Sequence, residues 1–398
     1  MKLVFIHSGE KVKRDDEGNL YTDGSYNMRL WERYLKLFDQ ITLLMRLDEN
    51  RYSKDEAIKK FNIISSNRIN FIPIPNENAS IITYFNPLLK KRIKEIINRE
   101  IEKSDAVIVR LPGLDKVIDY SNKKGKPCLV EIVGCPFDSL WNHSLKGKII
   151  AIPSYFKLKN AMKKAQYAIY VTNSFLQKRY PMRGKQIGCS DVQLPLKHEE
   201  DNYFNKLIEE SQKKDFFVLG TAAATNVKYK GQQYVIEAIY RLKKETGQRF
   251  IYQIAGNGDT SYLKSLVKKY DLGESVHFLG NIPHEKMSDW YRTLDIYIQP
   301  SKTEGLPRAL VEAMSNGVAC IGSNAGGIPE LLDRDSIFRK ERVNELKKLL
   351  LLFTDTELRL EKAKLCYQKS KMFESDILEQ KRLDFMKEAL LSKGKEKQ

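Results

Sequence analysis

Two carboxylates, Glu304 and Glu312, stand eight positions apart in the stretch PSKTEGLPRALVEAMSNGVACIGSNAGGIPE, which runs from Pro300 to Glu330. Glu304 falls in the loop after a strand-like apolar run, Pro307 suits the first position of a helix, and Gly317 suits its close about three turns later. A helix beginning beside Gly305 offers backbone N–H groups and the positive end of its dipole, which together favour a phosphate. Glu312 lies inside that helix, with its side chain tilted back toward the start. A wholly helical span would separate the two glutamates by about 12 Å, at about 1.5 Å per residue. That is the reach from a nucleotide's ribose to a sugar carried on its diphosphate, so the pair suits the hydroxyls at both ends of a nucleotide sugar. The plainer reading is an amphipathic helix with two solvated glutamates.

The elements that must position these residues form two similar series. Leu3–His7 is a short apolar run that predicts a buried first strand, followed by a polar, turn-rich loop and then a helix with an apolar stripe from Met28 to Phe38. Further strands are expected at 41–47, 106–113, 127–134 and 167–172, with helices from Pro87 and from Tyr155 to Lys164 between them. A second series begins near Asp215 and runs through five strands separated by four helices, ending with VACIGS at 318–323. Strands alternating with helices imply βαβ units and parallel sheets. The predicted fold is therefore α/β, with two Rossmann-like doubly wound domains facing across a cleft. The N-terminal domain is placed at 1–200 and the C-terminal one at 201–373, with a helix in 374–398 packing back on the first. Ligands of such sheets lie outside the carboxyl ends of the strands.

Composition narrows the classes. The 398 residues carry 68 Lys and Arg against 51 Asp and Glu, a net charge of +17, which calls for an anionic partner. The first 200 residues hold +12 of that excess. The five cysteines include no C-x-x-C pair, which argues against a disulfide framework or zinc site and for a reducing cytoplasmic setting. The N-terminal run is too short for a signal peptide, and no stretch approaches the roughly 18 apolar residues of a membrane span. A soluble protein, or one peripheral to a membrane, is expected.

The context of the glutamate pair is specific. EGLPRALVEAM, followed by NGVACIGS and AGGIPE, resembles the E-x7-E signature of retaining family 4 glycosyltransferases, bacterial polysaccharide enzymes of the GT-B fold among them. The resemblance is dense from about Asp215 to Glu330 and rests on element order before that. It implies that Glu304, with the backbone of Gly305 and Leu306 beside it, holds the donor sugar's hydroxyls, and that Glu312 binds the ribose. A family lysine preceding a glycine at a helix entrance neutralises the donor diphosphate, and Lys230 with Gly231 matches it. The family's arginine after the preceding glycine is missing, since Thr221 follows Gly220, and its role passes to Lys228. AGNG at 255–258 resembles the family's turn near the nucleoside, which assigns Gly256 and Gly258 to the nucleotide pocket or to a tight turn alone.

In the N-terminal half the resemblance points to Gly24 and Ser25, before Tyr26, as a phosphate or acceptor loop, with a helix cap by Ser25 as the alternative. Asp138 and His143 are the counterparts of a family histidine that faces the donor sugar, without a clean match, and His7 at the end of the first strand carries the same ambiguity. The lone D-x-D, Asp333 to Asp335, reads as a solvated turn, so no cofactor and no essential metal is expected. The implied activity moves a sugar from a nucleotide-sugar donor to a hydroxyl of a glycan or lipid-linked acceptor with retention, in polysaccharide biosynthesis. Two other classes compete: a nucleotide-sugar epimerase or hydrolase of the same architecture, and a basic nucleic-acid-binding protein, for which no recognition motif is found. The basic helices at Pro87–Lys103 and Tyr155–Lys164 suit an anionic membrane surface, or a solvated face over an ordinary core.

Overall fold

The computed structural model describes residues 1–24, 26–76, 83, 86–143, 145–192, 194, 204 and 215–391. The chain divides into two compact units. The first comprises Met1–Gly134, Pro153–Cys189 and Glu379–Gln398, and the second Cys135–Ile152 and Ser190–Leu378. The expected boundary at 200/201 lies outside the described residues. The segment Cys135–Ile152, expected in the first domain, belongs to the second unit: the chain leaves a strand of the first sheet and returns at Pro153, which contiguous reading of the sequence does not register.

The first unit is built on a nine-stranded sheet. Its strands are β1 (Lys2–Arg14), β2 (Leu20–Thr22), β3 (Gln40–Leu47), β4 (Asn62–Ile63), β5 (Ile69–Pro73), β6 (Ala106–Leu111), β7 (Cys128–Ile132), β8 (Tyr167–Tyr170) and β9 (Lys185–Gly188). The parallel part runs β5-β3-β1-β6-β7-β8-β9, and β2 and β4 add antiparallel pairs at one side. The polar segment after His7 is therefore not a loop. β1 continues to Arg14 and turns back into β2, with Lys13 paired to Tyr21. Val12 and Tyr21 are buried, and Asp15 ties the turn by accepting from Glu17 N, Asn19 N and the Tyr21 hydroxyl. A strand holding few apolar residues among lysines escapes a search for apolar runs, because the alternation is short.

The second unit has a six-stranded sheet: β10 (Phe216–Ala222), β11 (Arg249–Ala255), β12 (Val276–Gly280), β13 (Ile296–Gln299), β14 (Ala319–Ser323) and β15 (Ile337–Phe338). All neighbours are parallel in the order β12-β11-β10-β13-β14-β15. The strand order reverses between β10 and β13, the switch point at which doubly wound sheets bind ligands. The Gln232–Thr246 helix buries Val235, Ile236, Ile239 and Leu242 on one side, a spacing that locks it on the sheet, and Gly247 at φ +70° ends it.

Within the first unit, the final helix (Ser375–Leu391) is fixed from Glu379 onward by buried charge. Arg33 meets Glu379 at 2.6 Å, and Arg382, 1% exposed, meets Glu131 of β7 at 3.3 Å.

Candidate active site at the switch point of the second sheet

The loops that leave β10 and β13 carry the predicted residues. After β10 the chain passes through a single 3-10 turn, Lys228–Lys230, into Gly231 at φ +84°. A Cβ on Gly231 would lie 2.0 Å from the carbonyl oxygen of Pro300, so only glycine lets the two loops approach this closely. That approach brings Lys230 to Glu304. Lys230 Nζ donates to Glu304 Oε1 at 2.7 Å, Ser301 Oγ donates to the same oxygen at 2.7 Å, and Gln299 Nε2 at 3.1 Å. The Tyr297 hydroxyl donates to Gln299 Oε1 at 3.0 Å, which fixes the amide with its nitrogen toward the carboxylate. Three donors on one oxygen hold Glu304 as an oriented anion and leave Oε2 to accept from a ligand.

The AGGIPE stretch braces this loop from the other side. Gly326 sits at φ +57°, where a Cβ would fall 2.0 Å from Glu304 O, and Gly327 N donates to Gly305 O at 2.7 Å. Gly305 and Leu306 lie half-buried beside Glu304. The helix that follows is Arg308–Ser315, shorter and later than predicted: Pro307 is its N-cap at ψ 111°, with no side-chain cap, and Asn316 is its C-cap. The residue before a proline avoids the helical region, so the loop remains extended through Leu306. The two glutamates are consequently not joined by one helix, and the wholly helical estimate of their separation does not apply. Glu312, half-buried, accepts from the Tyr291 hydroxyl at 3.0 Å through Oε2. Burial, with Tyr297 and Glu312 nearby, pushes the Tyr291 phenol well above its ordinary range, so it remains a donor.

The AGNG turn closes against the loop after β10. Gly256 (φ +140°) and Gly258 (φ +124°) sit where a Cβ would strike Ala223 O at 2.1 Å and Asn226 Oδ1 at 2.7 Å. Thr225 N donates to Asn257 O at 3.0 Å, and the Thr225 hydroxyl oxygen is buried with no protein partner. Lys228 is not brought to Glu304. Its ammonium lies 4.0 Å from the centre of the Tyr262 ring, a cation–π contact on the exposed side of the loop.

The N-terminal assignments fare differently. Gly24 is an exposed turn at φ +54°, its N–H accepted by Asp23 Oδ1 at 2.7 Å, and Ser25 lies outside the described residues. The cap of the Met28–Leu35 helix is Asn27, whose side chain accepts from Leu30 N, and not Ser25. Asp138 and His143 lie on one short helix, Pro136–His143, near its start and at its end, and that helix belongs to the second unit. His143 is exposed. His7 is 6% exposed, its Nδ1 3.0 Å from Arg110 O and its ring stacked on Tyr26. Burial lowers its pKa to about 4, against the pull of the Arg110 backbone bond, so it is a neutral core residue. Asp333 and Asp335 are each paired at 2.5 Å, with Lys369 and Lys362, so the D-x-D is an ion-paired turn. Among the described residues no three acidic, His or Cys side chains are grouped to hold a metal.

Sequence reasoning missed Tyr297, Gln299 and Ser301. Their signal was present: polar side chains at the carboxyl end of an otherwise apolar strand, where a parallel sheet buries both faces, require a partner.

Residues 199–371 match the family described as glycosyl transferases group 1. The chain is 35% identical over 355 residues to Protein CapJ of Staphylococcus aureus, covering 88% of this chain and 85% of that one. It is 34% identical over 143 residues to the amylovoran biosynthesis glycosyltransferase AmsK of Erwinia amylovora, 34% of each chain. Among solved structures it is similar to sucrose-phosphate synthase from Thermosynechococcus elongatus, with a TM-score of 0.67 at 14% identity over 98% of both chains. The Anabaena HepE structure solved with UDP is similar with a TM-score of 0.63 at 15% identity, over 98% of this chain and 100% of that one. With two doubly wound units in the GT-B fold, the glutamate pair in place and this breadth of identity, the chain belongs to the glycosyl transferases group 1 family and is a glycosyltransferase.

Proposed function

We propose that the enzyme transfers a sugar from a nucleotide-sugar donor to a hydroxyl of a glycan or lipid-linked acceptor, with retention of anomeric configuration, in the synthesis of a cell-surface polysaccharide. The observation that carries this reading is the clamp on Glu304: Lys230, Ser301 and Gln299 all bond Oε1, at the switch point between β10 and β13. Glu304 Oε2 accepts from the donor sugar's hydroxyls and Glu312 Oε1 from the ribose. Lys230 retains two further N–H donors for the diphosphate, where negative charge grows as the glycosidic bond breaks. The uncapped start of the Arg308–Ser315 helix adds backbone N–H groups and dipole to the same anion. Lys228 reaches the diphosphate on leaving Tyr262, and no metal or other cofactor enters this reading.

Retention follows from substitution on one face of the sugar. The departing phosphate oxygen takes the acceptor hydroxyl's proton, and the protein contributes position and electrostatics. The polysaccharide assignment is supported by the names of the relatives, AmsK of amylovoran biosynthesis and WcaL of colanic acid biosynthesis in Escherichia coli among them. The donor class is supported by HepE, which was solved with UDP-glucose. The reading puts the reaction on the cytoplasmic side, where the five buried thiols stay reduced, at an anionic membrane surface. No described helix is long and apolar enough to cross a membrane.

A thermal-shift panel of nucleoside diphosphates tests the donor site. A ligand at a hundred times its Kd stabilises by about 2.7 kcal/mol, a rise of several degrees. At least one nucleotide is expected to produce it in the wild type, and the shift should vanish in Glu312→Ala. No shift with any of them contradicts the reading.

A further inference from the structure

Behind the clamp on Glu304, the segments that follow β10, β13 and β15 meet on one side chain. The chain leaves β15 through a turn closed by Arg342 N, which donates to Arg339 O at 3.0 Å. Glu341, the third residue of that turn, takes φ +67°, the left-handed region where turns ordinarily carry glycine or asparagine. Its Oε1 pairs with Lys302 Nζ at 2.8 Å and accepts from the Tyr234 hydroxyl at 3.0 Å. Lys302 stands two residues before Glu304 in the segment after β13. Tyr234 lies in the first turn of the Gln232–Thr246 helix, and its N–H donates to Gly231 O at 2.9 Å, beside Lys230. The two segments are also tied directly, since Lys302 N donates to Tyr229 O at 2.7 Å. The turn itself is anchored to the loop after β14 by Lys340 N, which donates to Asn324 Oδ1 at 2.9 Å.

Energetics argue that Glu341 is not there for the fold. A side chain with a Cβ costs backbone energy in this conformation, and glycine would make the turn without that cost. The return is small, because the Glu341 side chain is 48% exposed and an ion pair half in water contributes little stability. Partial burial raises the Glu341 carboxyl, but the bonds from Lys302 and Tyr234 outweigh it and hold the group below the ordinary carboxylate range, as an anion. Strain retained without a matching gain in stability points to a role in the site. The carboxylate reaches the two segments whose approach sets Lys230 2.7 Å from Glu304. With Glu341 removed, Lys302 loses its counter-charge and the Glu304 loop loses its outer support.

We infer that Glu341 is a positioning residue of the transfer site: through Lys302 and Tyr234 it holds the loop of Glu304 against the loop of Lys230. The inference rests on the donor site proposed above and adds to it a residue that acts through its neighbours and not on the substrate. The test is titration calorimetry of the full chain with a panel of UDP-, GDP- and ADP-sugars, read together with the melting temperature of the unliganded protein. Glu341→Gly is expected to weaken binding of the preferred nucleotide sugar at least fivefold, with a melting temperature equal to or above wild type. Lys302→Gln should cost as much affinity, and the double variant no more than either single one, because the two residues act as a unit. Affinities equal to wild type in both variants overturn the inference. So does affinity falling together with melting temperature in both, the mark of a brace for the fold alone, and so do losses that add in the double variant. A wild type that binds none of the panel is the failure of the donor-site reading, and this inference falls with it. A wild type that binds, with variants equal to it, is the failure of this inference alone.

Discussion

Both units place a polar network near the carboxyl ends of their strands, and the two networks differ in completeness. In the first unit, His7, Arg110 and Glu131 stand in one register across β1, β6 and β7. Arg110 meets Glu131 at 3.1 Å with side-chain exposures of 3% and 2%, Arg382 meets the same carboxylate at 3.3 Å, and the Tyr34 hydroxyl donates to it at 3.2 Å. Oε1 takes the Tyr34 hydroxyl and Arg382, and Oε2 is met by the Arg110 guanidinium as an ion pair without a hydrogen bond, so the charge is balanced within the protein. In the second unit, all three donors crowd one oxygen of Glu304, and Lys230 is 23% exposed. A closed network fixes a fold, and a network with one oxygen and an ammonium in reserve has something left to bind.

The comparison can be broken on its closed side first. Glu131→Gln leaves two buried guanidinium groups without their counter-charge, and stability should fall by about 3–5 kcal/mol in urea unfolding. A loss below about 1 kcal/mol would mean that the network is not sealed. His7 provides the next effect. Its pKa is lowered to about 4 in the folded chain against about 6.5 when unfolded, so the unfolded state binds more protons between those values. The stability that the buried neutral ring contributes is present above about pH 6.5 and is lost as pH falls through about 4. It amounts to about 3 kcal/mol at most. Thermal melts over that window should show the loss in the wild type and a flatter profile in His7→Gln.

Legibility in the sequence followed the same division. The second unit could be read because glycines at positive φ mark close loop approaches: Gly231, Gly256 and Gly258 each sit where a Cβ would strike a neighbouring loop. A motif assembled from such positions carries its geometry in residue types. Gln299 and Ser301 escaped because their role arises from strand register and not from a spacing. The different settings of the two lysines were hidden for a related reason: Lys230 is aimed by the Gly231 turn, while Lys228 has Tyr262 within reach. In the first unit, the β1–β2 hairpin was hidden by its lysines, and the candidates Gly24, Asp138 and His143 were matched by position in the element order. The structure puts Gly24 in an exposed turn and the other two on a helix of the second unit.

The central claim is that the reserve at Glu304 is the chemistry. Glu304→Gln keeps the side chain's size, removes the charge that Lys230 pairs with, and sets an N–H where a sugar hydroxyl must be accepted. Its rate of nucleoside diphosphate release in the presence of acceptor, from the nucleotide sugar whose diphosphate gives the largest thermal shift, is the deciding measurement. The account predicts a fall of at least about a hundredfold, in the range lost when one preorganised electrostatic contact is removed, with the melting temperature unchanged. A rate equal to wild type in a folded variant would contradict it.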